Sequence, residues 1–87
     1  MVSIIGSGMA FLRDWAHRCK AAGGIPQVVT KYGGKRWSEI TGQPGAVLVR
    51  CYGAGRKVKG GLVTHIPEDF IEKAEREVGE LSRLIGA

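Results

Sequence analysis

Arg56, Lys57 and Lys59 stand among Gly53, Gly55, Gly60 and Gly61, the composition of a loop that can grip a phosphate. Glycines let backbone N–H groups come close to an anion, and the three cations supply charge. A second segment has similar chemistry: Lys31, Tyr32, Lys35, Arg36 and Trp37 flank Gly33-Gly34. There Trp37, with Tyr52 beside the first loop, is a candidate for stacking on an unpaired base. The same residues have a plainer reading. Gly- and Lys-rich hairpin tips stay soluble and discourage edge-to-edge aggregation, and both aromatics suit a core.

Other motifs carry less. Ile4-Ile5-Gly6-Ser7-Gly8 opens like a dinucleotide-binding strand–turn–helix, but Phe11 occupies the third glycine position. The ribose-binding acid is also missing, since the first acid after Asp14 is Glu39. No cofactor is therefore expected. His17, Cys19, Cys51 and His65 are the available soft ligands, yet a two-residue step on a helix points His17 and Cys19 apart, so no metal site is expected either. There is no G-x-S-x-G motif, and six of the eight acids fall in the last stretch of the chain. Catalytic residues are not assigned, and the expectation is a protein that acts by binding.

Charge is segregated along the chain. Residues 15–66 hold nine Lys or Arg against Glu39 alone, while residues 67–87 hold six acids against Lys73, Arg76 and Arg83. Such a molecule turns one surface to an anionic partner and another away from it. The expected partner is nucleic acid, DNA or RNA, or an acidic protein surface. In the second case the chain is a protein-interaction module, an accessory factor or inhibitor of a larger complex, and a third reading is an oligomeric structural subunit of an assembly.

Eighty-seven residues make one domain, and 44% hydrophobic with 24% charged residues is the balance of an ordinary globular protein. No apolar run is long enough to cross a membrane. The apolar start lacks a basic leader region, so a cytoplasmic protein with reduced Cys19 and Cys51 is the expectation.

The elements follow from periodicity. Leu12, Trp15, Cys19 and Ala22 recur at helical steps, predicting a helix over 9–22 that Gly23-Gly24 ends. Segments 27–32 and 35–40 read as a hairpin about Gly33-Gly34, with Trp37 in its second strand. Val47, Val49 and Cys51 alternate with Leu48, Arg50 and Tyr52 in the clearest strand, and 62–66 reads as another. Pro67 and the acids after it open a last helix, in which Asp69–Lys73 and Glu72–Arg76 have the spacing of ion pairs. Its seam of Ile71, Ala74, Val78, Leu81 and Ile85 either packs on the sheet or pairs with a second copy as a homodimer. The sum is an α+β fold: an N-terminal helix, a small antiparallel sheet of three to five short strands, and a C-terminal amphipathic helix packed on it.

The helix–sheet–helix order resembles the outline of a double-stranded-RNA-binding domain. That family opens its last helix with lysines, where this chain has Pro67-Glu68-Asp69-Phe70. The resemblance covers element order alone and assigns no family.

Overall fold

The computed structural model describes residues 3–53, 55 and 57–85, with side chains in the last helix followed as far as Leu81. Strand β1 (Ile4–Ser7) leads into helix α1 (Gly8–Ala21), then β2 (Ile25–Val29). A two-stranded ribbon of β3 (Lys31–Tyr32) and β4 (Lys35–Arg36) follows, then a short helix α2 (Trp37–Thr41). Strands β5 (Val47–Tyr52) and β6 (Gly61–Thr64) come next, and a 3-10 turn (Glu68–Phe70) opens the last helix, α3 (Ile71–Ile85). The architecture is α+β, with the terminal helix on the sheet as its sequence pattern requires.

The main sheet has the order β1-β6-β5-β2 and is mixed, not wholly antiparallel. β2 pairs antiparallel with β5, and β5 antiparallel with β6, so β6 runs in the direction of β2. Helix α1 carries the chain from one edge of the sheet to the other. That crossover leaves β1 parallel to β6, a relation a tight hairpin cannot make. The two glycines of this turn act differently, Gly8 by opening α1 at φ 84° and Gly6, inside β1, by packing. A Cβ on Gly6 would overlap the Phe11 ring, so the residue that breaks the dinucleotide signature is seated on that signature's first glycine.

Both long helices cover one face. Leu12, Trp15 and Ala16 of α1 and Ile71, Ala74 and Val78 of α3 bury against Val28, Val47, Val49 and Val63. Fully burying a side chain of this size contributes about 1.5–3 kcal/mol, so this layer dominates the stability of so small a domain. The α3 seam is thereby used within the monomer. Ile71, Ala74 and Val78 are buried and Leu81 packs against them, which leaves these four with no free stripe for a partner helix; the side chain of Ile85 lies outside the described residues.

The second strand of the expected hairpin stops after two residues. Trp37 starts α2 instead and turns its indole under the opposite face of the sheet, onto Ala46, Leu48 and Leu62. Burying this large ring outweighs the weak strand preference of 37–40. Thr41 Oγ1 donates to the Trp37 carbonyl at 2.6 Å, and Gly42 ends the helix at φ 74°.

The expected i,i+4 pairs Asp69–Lys73 and Glu72–Arg76 are not formed among the described residues, and α3 makes other charged contacts. Glu77 accepts from Arg13 of α1 at 3.2 Å, Glu68 accepts from Arg36 at 2.8 Å, and Lys73 lies over the Phe70 ring. All are exposed enough to contribute little to stability. Gly79 is a different matter. Nothing described lies within 4 Å of where its Cβ would stand, so no close approach explains a glycine inside this helix. Gly79→Ala is expected to stabilise the protein by about 0.5–1 kcal/mol, read as a higher urea midpoint at unchanged slope.

Candidate nucleic-acid interface

The register of the sheet decides which cations can act together. Val29 pairs with Leu48 and Ile25 with Tyr52, so the β3–β4 ribbon leaves one end of β5 and the loop after Tyr52 leaves the other. The six residues of β5 separate them by about 17 Å. The two basic segments are therefore two sites, not one.

At the ribbon end the charge is diluted. Lys31 and Lys35 are exposed, but Arg36 donates through Nη1 to Glu68. Trp37 is only 8% exposed and belongs to the core, so the stacking role considered for it is not open to it. Its indole Nε1–H has no partner among the described residues. Tyr32 lies over it, ring centroids 5.6 Å apart, and is itself exposed.

The other end is more concentrated. Trp15, buried in α1, donates its indole N–H to the Lys59 carbonyl at 2.9 Å and so anchors the returning loop to the core. Lys57 and Lys59 share an open hollow with Arg18 of α1, over a floor of Ile5, Phe11 and Trp15. A second hollow joins Lys59 to Arg50 and Tyr52 at the end of β5. Arg50 Nη1 donates to the Tyr52 hydroxyl at 3.3 Å. Lys20 stands in the last turn of α1, and Arg56 lies outside the described residues. Only Arg18 of this set is ion-paired among the described residues, with Asp14 at 3.0 Å. Among the described residues Lys20, Arg50, Lys57 and Lys59 have no acidic partner, Arg50 meeting only the neutral Tyr52 hydroxyl.

Arg18 and Arg50 border these hollows, and Lys20 shares the last turn of α1 with Arg18, although none of the three was singled out in the sequence. A signal for Arg50 exists, because strand alternation puts it on the face of Tyr52. For Arg18 and Lys20 the sequence gives only the outward face of α1. That this face's last turn lies beside β5 is a tertiary fact.

Cys19 and Cys51 explain that proximity. They form a disulfide, with Cα atoms 5.8 Å apart, and are not the reduced core pair expected. The bond ties the last turn of α1 to the strand residue between Arg50 and Tyr52, and so fixes the two sources of positive charge against each other. The sulfurs are bonded to one another and cannot serve as thiolate ligands. His17 is on α1, while His65 follows β6 at the ribbon end of the sheet, its Nδ1 2.9 Å from Thr64 Oγ1.

Among the described residues no helix is long and apolar enough to cross a membrane. Neither a protein-family model, nor a curated protein sequence, nor a solved structure matches this chain.

Proposed function

We propose that this protein binds nucleic-acid phosphates without catalysis of its own, through the basic end of the sheet formed by Arg18, Lys20, Arg50, Lys57 and Lys59. One observation carries the reading: Arg50 and Lys59 border a hollow with the exposed Tyr52, Arg18, Lys57 and Lys59 border a neighbouring one, and among the described residues only Arg18 of these cations has an acidic partner, Asp14. The Lys59 carbonyl is held by Trp15 and the α1–β5 junction by the disulfide, so the cations start from a fixed scaffold. A preorganised basic surface loses less entropy on binding than a mobile loop would. The acids of α3 bound the site on one side, since Glu75 lines a hollow with Ile25, Gln27 and Tyr52, and they repel a polyanion that strays across that edge. A cytoplasmic setting belongs to this reading only for an interior that keeps the Cys19–Cys51 bond oxidised.

The test is fluorescence anisotropy of labelled DNA and RNA at 50 and 200 mM salt. With four or five phosphates engaged, affinity is expected to fall on the order of 10²–10³-fold between the two. Absence of binding at the lower salt would transfer the basic end to an acidic protein partner.

A further inference from the structure

The sheet is covered unevenly. Helices α1 and α3 occupy one face, and on the other face Trp37 shields only the half that holds Ala46, Leu48 and Leu62. The remaining half, at the C-terminal end of β5, is bare among the described residues. Ile25 and Tyr52 are register partners there, 48% and 47% exposed, and the exposed pair Gln27–Arg50 lies directly behind them.

We infer that the ligand of the basic end is single-stranded nucleic acid, with an unpaired base stacked on Tyr52 over this bare half of the sheet. The inference rests on the phosphate-binding reading above and adds to it the strandedness of the ligand. Two features favour it over a duplex. First, the aromatic stands on the half of the sheet that Trp37 does not cover, its hydroxyl accepting from Arg50 two residues back, and its side is open, the residue being 47% exposed. Only an unpaired base can stack on such a ring, because a duplex keeps its base faces stacked internally. Second, the cations are placed beside the ring and not beneath it. Arg50 and Lys59 border the same hollow as Tyr52, where the sugar–phosphate chain on either side of a stacked base would run. Ile25 extends the apolar surface under the base, and the Gln27 amide offers one donor and one acceptor group to its edge. A duplex would engage the charge alone and leave the Tyr52 ring unused.

The experiment compares short oligo-dT and oligo-rU with a mixed-sequence duplex at one salt concentration, for wild type, Tyr52→Ala and Tyr52→Phe. Single strands are expected to bind at least about tenfold more tightly than the duplex. Tyr52→Ala is expected to weaken single-strand binding on the order of 10- to 100-fold, with duplex binding within about twofold and the circular dichroism unchanged. Tyr52→Phe keeps the ring and should stay within about threefold of wild type. Equal affinity for both forms, untouched by Tyr52→Ala, would overturn the stacking site while leaving phosphate binding intact. No salt-sensitive binding to either form would remove both. Binding of an acidic peptide as tightly as the oligonucleotides would also overturn it, in favour of a protein ligand.

Discussion

Lys57→Glu/Lys59→Glu is expected to lower nucleic-acid affinity on the order of 10²-fold at about 0.1 M salt, while Lys31→Glu/Lys35→Glu lowers it less than about tenfold. Each lysine that neutralises a phosphate releases a counterion, and at that salt one such contact on a single strand is worth roughly fivefold in affinity. Removing two gives about 25-fold, and two added carboxylates repel the backbone further. The contrast between the pairs follows from the sheet register: Val29–Leu48 and Ile25–Tyr52 put the two basic segments at opposite ends of β5, and only one end gathers further cations. Both double variants make the same charge change, so a purely net-charge effect would weaken them equally. An equal loss, measured by anisotropy on one labelled oligonucleotide, contradicts the assignment of the site to the loop end.

The Cys19→Ala/Cys51→Ala variant is expected to lose about 3–4 kcal/mol of unfolding free energy. A cross-link between residues 32 apart restricts the unfolded chain by roughly that amount. A single domain of this size has on the order of 5–8 kcal/mol in total, so half of its stability is at stake. The variant or the reduced protein should therefore unfold at a clearly lower urea concentration. Its binding should also weaken, because the bond holds the last turn of α1 beside Arg50 and Tyr52. An unchanged urea midpoint on full reduction, with free thiols confirmed, would mean that packing alone holds α1 to β5.

What the sequence made legible was whatever depends on local periodicity. The buried stripe of α1, the alternation of β5 and the seam of α3 follow from three- and four-residue or two-residue steps, and those elements are present. Three things were not local. The parallel pairing of β1 with β6 depends on a crossover that spans the sheet. The disulfide joins residues whose spacing resembles no motif, and their meeting depends on how α1 lies over β5. Trp37 reads equally well as an exposed stacking residue or a buried one, and the vacant apolar surface of Leu48 and Leu62 decides between them. For the site the consequence is mixed. Lys57, Lys59 and Tyr52 are evident from composition, whereas the division of the basic residues between two ends of the sheet needs the strand register.

The most direct test is the dependence of binding on salt, compared for wild type and Lys57→Glu/Lys59→Glu on the same single-stranded oligonucleotide. A wild-type slope of log affinity against log salt near −3, made shallower by about 1.4 in the variant, is the result expected if these lysines each neutralise a phosphate. A slope near zero in the wild type, or one the substitutions leave unchanged, would contradict a nucleic-acid interface at this end of the sheet.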